Sequence, residues 1–103
     1  MYVMYVEYVV KAHGEVRYKE AVQKLFDKYE NMEWLESTQR KNLYLETWTF
    51  DLKSELDLFL AERAGDGDSE WRTIDEFIDG GHDKLNIWIF KRIQGEKSLH
   101  KGS

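Results

Sequence analysis

The chain has 103 residues and a formal net charge of −5, with 42% hydrophobic and 34% charged residues. These values are typical of one folded domain and exclude a disordered chain. The acidic balance argues against nucleic acid as a partner, because phosphate binding requires a basic surface. The absence of cysteine excludes disulfides, thiolate catalysis and cysteine-ligated metals.

The N-terminal segment does not have the pattern of a signal peptide. It has no basic region, and Glu7 interrupts its apolar run. No apolar run approaches the roughly 20 residues of a membrane span, so no membrane partner is expected. A cytoplasmic location is expected by default.

The first half of the chain alternates between strand and helix patterns. Residues 2–11 are rich in Val, Tyr and Met, which favours a strand, and only Glu7 interrupts its two apolar faces. Apolar residues at helical spacing predict a helix over 16–29. Residues 33–39 predict a second strand, and the polar segment 39–42 predicts a hairpin connection.

The second half repeats the strand and helix order. Residues 43–50 predict a third strand, and Asp51 is expected to be the N-cap of the helix that follows. A shorter helix is predicted over 69–79 and a last strand over 84–93, whereas 94–103 is expected to be a flexible tail. One side of the main helix is expected to carry Leu52, Leu56, Phe59, Leu60 and Arg63.

The order βαββαβ predicts a single α+β domain over residues 1–93, with a ferredoxin-like antiparallel sheet and two main helices on one face. The strands are apolar on both sides, so the second face is expected to pack against a second copy in a dimeric barrel. The alternative is that one strand is misphased and that helix 69–79 covers the second face in a monomer. The expected dimer interface consists of Tyr44, Glu46, Trp48, Trp88 and Phe90.

One segment resembles a known superfamily. Leu45-Glu-Thr-Trp48 followed by Leu52-Lys-Ser-Glu-Leu56 and Phe59 resembles the dimeric α/β-barrel superfamily that includes the antibiotic biosynthesis monooxygenase-like domains. The resemblance extends over residues 2–93 by element order, although only the region of Glu46 and Trp48 is motif-like. It implies a homodimer, within a group that contains quinone-forming monooxygenases, heme-degrading enzymes, isomerases and proteins without known activity.

The heme-degrading branch of that superfamily fits this chain poorly. Its pattern has an Asn on the first strand, and a Trp and a His in the region of the second helix. Here the first strand has no Asn, and the second helix carries Phe59 and no His. No cofactor is therefore expected.

Four residues are candidates for a functional site. Glu7 stands in an apolar strand and could be a general base if it were buried, although an ion pair with Lys11 or Arg92, or exposure to solvent, is the favoured interpretation. His82 is the second candidate catalytic residue. Tyr5 and Trp71 are the candidate ligand-binding residues, with core packing favoured for Trp71.

No metal site is expected, because His13 and His82 lack ligand spacing and residues 66–70 do not match a calcium loop. Two functional hypotheses remain open. The favoured one is a non-catalytic dimeric module that binds a small apolar or aromatic molecule or a protein partner. The alternative is a cofactor-independent monooxygenase that acts on an aromatic substrate in a cleft between sheet and helices. A cleft filled by Trp71 and Phe59 would contradict the alternative.

Overall fold

The computed structural model describes residues 1–93, and the tail predicted for 94–103 lies outside that range. The main elements follow the predicted βαββαβ order and confirm an α+β, ferredoxin-like domain. They are β1 (Tyr2–Val9), α1 (Glu15–Phe26), β2 (Met32–Glu36), β3 (Leu43–Phe50), α2 (Lys53–Ala64), α3 (Trp71–Asp75) and β4 (Asn86–Lys91). Short 3₁₀ turns cover Ala12–Gly14 and His82–Lys84.

The four strands form one antiparallel sheet in the order β2-β3-β1-β4. Met4 lies opposite Trp48, whereas its neighbour Tyr5 lies opposite Thr47 on one side and Trp88 on the other. Residues directly opposite each other share a face of the sheet, so this register defines two faces. We call the face of Met4 and Trp48 the helix face, and the face of Tyr5 and Trp88 the open face.

All three helices pack on the helix face. Tyr18 of α1 contacts Tyr8, Arg63 of α2 binds Glu46, and the Trp71 ring of α3 lies 5.6 Å from that of Trp48. Helix α3 therefore does not cover the open face, contrary to the monomeric alternative. The buried core consists of Met4, Val6, Tyr8, Val10, Tyr18, Val22, Leu25, Met32, Tyr44, Trp48, Leu56, Trp71, Ile74 and Ile78.

Several element boundaries differ from the sequence predictions. Helix α2 begins at Lys53 with Leu52 at the N-cap, so the prediction of Asp51 as N-cap is wrong. The Leu52 backbone N–H donates to Glu55 Oε1 at 3.3 Å, which satisfies a donor at this helix start. Strand β2 ends earlier than predicted because the Ser37 hydroxyl accepts backbone N–H bonds from the next turn.

Candidate functional site

Aromatic rings fill the space between the sheet and the helices. Phe59 of α2 lies 4.2 Å from the ring of Trp48 and 6.2 Å from that of Trp71, centroid to centroid. Both tryptophans are fully buried. The cleft that the monooxygenase hypothesis requires is therefore occupied by side chains of the protein itself at this position.

A buried ionic network lies next to these rings. The Arg63 guanidinium donates to both oxygens of Glu46, from Nε to Oε1 at 2.9 Å and from Nη2 to Oε2 at 2.8 Å. Its Nη1 donates to Asp75 Oδ1 at 3.0 Å. Arg63 and Glu46 are 0% exposed and Asp75 is 5% exposed. Such bidentate, charge-assisted bonds hold α2 to β3 and to α3.

Two aromatic side chains also donate hydrogen bonds to Glu46. Tyr8 Oη donates to Glu46 Oε2 at 2.6 Å, and Trp48 Nε1 donates to Oε1 at 2.9 Å. The guanidinium also lies over the Trp71 ring, 4.6 Å from its centroid. The Glu46 carboxylate accepts two charge-assisted and two neutral hydrogen bonds. These occupy its acceptor positions and leave none for a ligand.

The pKa values in the network match a structural role. Burial lowers the pKa of Arg63, but the charge and hydrogen bonds of Glu46 raise it above its usual value overall. Burial, followed by the nearby Glu46 charge, raises the pKa of Tyr8 well above the usual value. Burial likewise raises the pKa of Tyr18, whose hydroxyl lies 2.8 Å from that of Tyr8. These groups keep their protons at neutral pH, so neither tyrosine is a general base.

The sequence contained part of the signal for this network. Arg63 follows Leu56 by seven residues and was placed on the apolar side of the predicted helix, where a charge needs a buried partner. The partner Asp75 gave no comparable signal, because its helix is only five residues long. The role of Tyr8 was also missed, since a tyrosine in an apolar strand looks like ordinary core.

The two catalytic candidates lie apart from the filled interior. Glu7 is half-buried on the open face, lines a surface pocket of 360 Å³ beside Arg40 and Lys84, and forms no ion pair within residues 1–93. Its expected partner Lys11 instead donates to the Glu76 carbonyl oxygen. His82 does not line that pocket and lies with Nε2 3.0 Å from Asp66 Oδ1. The structure does not bring the two candidates into one site.

The ligand-binding candidates are also separated. Trp71 is 0% exposed and packs in the core, as the sequence favoured. Tyr5 lies on the open face, where its ring contacts that of Phe90 edge to face at 5.6 Å. Among the described residues, no group of three or more His, Asp or Glu side chains could hold a metal ion.

The prediction that five aromatic and acidic residues share one interface face is wrong. Tyr44, Glu46 and Trp48 lie on the helix face and are no more than 1% exposed, so they have no surface to offer a second copy. Trp88 and Phe90 lie on the open face. The alternation within each strand was correct, but alternation does not show how the faces of neighbouring strands align.

The open face carries uncovered apolar side chains. Leu35, Trp88 and Phe90 are 49%, 48% and 56% exposed. Around them lie half-buried neighbours from β1 and β3, including Tyr5 and Leu45. Exposed apolar side chains grouped on one face of a sheet are typical of an interaction site.

A separate pocket lies on the helix side, where β3 ends and α2 begins. Its volume is 460 Å³. We call it the aromatic pocket, because rings from β3, from α2 and from the loop after α1 form part of its wall. It is lined by Met1, Tyr29, Asn31, Thr49, Phe50, Asp51, Glu55 and Phe59.

The sequence matches no protein-family model and no curated protein. Solved structures, however, share the fold over most of its length. A protein from Deinococcus radiodurans assigned as an antibiotic biosynthesis monooxygenase superposes with a TM-score of 0.69 at 10% identity, over 95% of this chain and 98% of that one. A protein with the same assignment from Nitrosomonas europaea gives 0.65 at 12% identity, over 91% and 100%.

An uncharacterised NIPSNAP domain protein from Burkholderia xenovorans is also similar, with a TM-score of 0.61 at 13% identity over 95% of this chain and all of that one. The chain thus has the antibiotic biosynthesis monooxygenase-like fold, in agreement with the resemblance found in its sequence. At these identities the likeness concerns the fold, and one fold carries many functions. No described helix is long and apolar enough to cross a membrane.

Proposed function

We propose that this protein is a non-catalytic binding module of the cytoplasm that forms a homodimeric α/β barrel. The observation that supports this proposal is the uncovered apolar surface of the open face, with Trp88 and Phe90 about half exposed. In the proposed dimer, two open faces pack against each other, which removes this surface from water. The ligand class is a small apolar or aromatic molecule, or a protein partner.

The filled interior supports a binding module over an enzyme. Trp48, Phe59 and Trp71 occupy the space between sheet and helices, and the Glu46 carboxylate is fully engaged by donors of the protein. A cofactor-independent monooxygenase needs an enclosed apolar cavity beside a base. The alternative would regain support if the purified protein consumed oxygen with an electron-rich polycyclic phenol.

The dimer is tested by light scattering coupled to size-exclusion chromatography at micromolar concentration. The wild-type protein is expected to have twice the mass of the chain. The double variant Trp88→Lys/Phe90→Lys is expected to be monomeric, because it places two charges in the proposed interface and desolvating them is unfavourable.

Leu58→Lys is the matched control. Leu58 is 76% exposed on α2, so the substitution also replaces an exposed apolar residue, but away from the open face. It is expected to keep the wild-type mass. A monomeric wild-type protein, or a double variant that stays dimeric, would contradict the proposed interface. Native mass spectrometry of protein purified from its own host then tests for a co-purifying ligand.

A further inference from the structure

Strand β4 is an outer strand of the sheet, and its far edge has no partner. Within residues 1–93 it pairs only with β1. In an antiparallel pair, every second residue turns its N–H and C=O groups to the neighbouring strand. Because the Arg92 N–H donates to the Met1 carbonyl oxygen, this alternation directs the backbone groups of three residues away from β1. These residues are Ile87, Ile89 and Lys91.

Side chains protect this edge of β4 only weakly. Trp88 and Phe90 are about half exposed on the open face, and Ile89 is 43% exposed on the helix face. Outer strands of natural sheets usually avoid pairing with other chains by being very short or by carrying charges or proline. In β4 the only charged residue is Lys91, at its end. The strand therefore combines free backbone groups with exposed apolar side chains on both faces, which a further strand could cover.

The opposite edge of the sheet belongs to β2, which pairs only with β3 within residues 1–93. The Ser37 N–H donates to the Leu43 carbonyl oxygen. By the same alternation, the residues of β2 that direct their backbone groups outward are Met32, Trp34 and Glu36. Both outer strands thus have a free edge, and they are similar in length, with five residues in β2 and six in β4.

The two edges carry opposite charges. Strand β2 contains Glu33 and Glu36 and no Lys or Arg. Glu36 is paired with Lys19 at 3.3 Å, whereas the exposed Glu33 forms no ion pair within residues 1–93. At the end of β4, Lys91 and Arg92 are both exposed and form no ion pair within the same range.

Two copies that pack through their open faces can be related by a two-fold axis in two ways. An axis along the strands exchanges the two edges, so β4 of each copy lies beside β2 of the other. These strands are antiparallel, because β2 and β4 run in opposite directions within one sheet. An axis across the strands instead places β4 beside β4 and β2 beside β2, again antiparallel.

The charges of the edges favour the first arrangement. There the basic end of β4, with Lys91 and Arg92, meets the start of β2, which carries Glu33. In the second arrangement two acidic β2 strands face each other, and the basic end of β4 meets a strand that contains no acidic residue. Opposite charges across a pair of strands are stabilising and like charges are destabilising.

We propose that β4 of each copy forms backbone hydrogen bonds with β2 of the other copy, and that the charges of Glu33, Lys91 and Arg92 select this pairing over β4 with β4. The pairing rests on the proposed homodimer, which brings the second copy into position. It adds a specific contact to the packing of the two open faces, because it provides partners for backbone groups that a single chain leaves free.

Reversal of single charges tests the selection, with the dimer dissociation constant measured by analytical ultracentrifugation. Arg92→Glu and Glu33→Arg are each expected to weaken the dimer by about tenfold, because an unfavourable contact is created twice in a symmetric dimer. The double variant Glu33→Arg/Arg92→Glu is expected to regain the wild-type constant, since opposite charges meet again. In a dimer with β4 beside β4, the double variant would not be restored in this way.

Lys24→Glu is the matched control for Arg92→Glu. It changes the net charge by the same amount at an exposed site on α1, beside α3 and away from both outer strands. It is expected to leave the dissociation constant unchanged. A wild-type monomer would overturn the strand pairing together with the proposed dimer. A wild-type dimer that is unaffected by either reversal, or a double variant as weak as the single variants, would overturn the pairing alone.

Amide hydrogen exchange measures the backbone bonds themselves. The outward N–H groups of Ile89 and Trp34 have no backbone partner within residues 1–93. In the wild-type dimer they are expected to exchange about tenfold more slowly than in Arg92→Glu at a concentration where that variant is monomeric. Phe90, whose N–H faces β1, is expected to change less. Fast exchange of Ile89 in a wild-type dimer would overturn the pairing and leave the packing of the open faces intact.

Discussion

The most unusual residue of the molecule is Arg63, a charged side chain that is 0% exposed. Removing a guanidinium from water is strongly unfavourable unless its donors are satisfied. Here Glu46 and Asp75 supply three hydrogen bonds, and the rings of Trp71 and Tyr8 flank the cation at 4.6 and 5.7 Å. The pairing fixes the positions of α2 and α3 relative to β3. The interior between the sheet and the helices therefore leaves little space for a ligand.

Substitution of Arg63 alone tests how strongly the stability of the fold depends on this buried ion pairing. Arg63→Met is expected to lower the free energy of unfolding by about 3–5 kcal/mol, because it leaves Glu46 as an unpaired buried charge. Glu46→Gln/Arg63→Met is expected to lose much less, since neither charge remains and Asp75 keeps Arg72 Nε at 3.2 Å. Urea unfolding followed by circular dichroism measures both. A double variant as unstable as the single variant would show that packing, and not charge pairing, dominates here.

The buried tyrosines predict how stability changes at high pH. Burial raises the pKa of Tyr8 and of Tyr18 in the folded protein, whereas an unfolded tyrosine titrates near its usual value of 10.0. Above that pH the folded state holds protons that the unfolded state has lost. The stabilisation is therefore complete below about pH 10 and decreases as pH rises, by up to about 1.4 kcal/mol per pH unit for each tyrosine.

Tyr18→Phe isolates one of these contributions. The variant keeps the Tyr8 bond to Glu46 and removes one titrating group, so its stability is expected to fall less steeply between pH 10 and pH 11. Urea unfolding at a series of pH values gives both slopes. Identical slopes for the variant and the wild-type protein would show that Tyr18 ionises alike in the folded and unfolded states.

At the level of elements, short-range sequence patterns were sufficient to predict the type and order of the strands and helices. The bounds predicted for β3 match the structure, and the predicted order of strands and main helices along the chain is correct. Helix ends were less accurate: α1 was predicted to extend to residue 29 and ends at Phe26. The α3 segment was predicted over 69–79 and is a helix only over Trp71–Asp75. Ends depend on hydrogen bonds to other parts of the fold, which local patterns do not report.

The error in the predicted interface also arises because local patterns do not report how distant segments pair. Trp48 and Trp88 each stand on a clearly alternating strand, and nothing within either strand tells which of its faces is turned to the helices. The register of β1 decides this, since Met4 lies opposite Trp48 whereas Tyr5 lies opposite Trp88. Pairing between distant strands is set by the whole sheet, and a shift of one residue exchanges the two faces.

At the level of the whole molecule, the core is confined to one side of the sheet. The residues that form it come from the helix face and from all three helices, and they are buried within a single chain. The open face contributes apolar surface but little that is fully buried; among its β3 residues, Thr47 at 8% exposure is the most enclosed. A single chain is therefore expected to fold alone, and the proposed dimer is expected to add stability to a fold that already exists.

The dependence of melting temperature on protein concentration tests whether a single chain folds without the proposed dimer. If the dimer persists up to unfolding, a tenfold increase in concentration is expected to raise the melting temperature of the wild-type protein by about 3 °C or more for a chain of this size. Trp88→Lys/Phe90→Lys is expected to remain folded, because Trp88 and Phe90 lie outside the buried core. Its melting temperature should not change with concentration. An unfolded double variant would show instead that the open face is needed for folding, and that the protomer is not an independent domain.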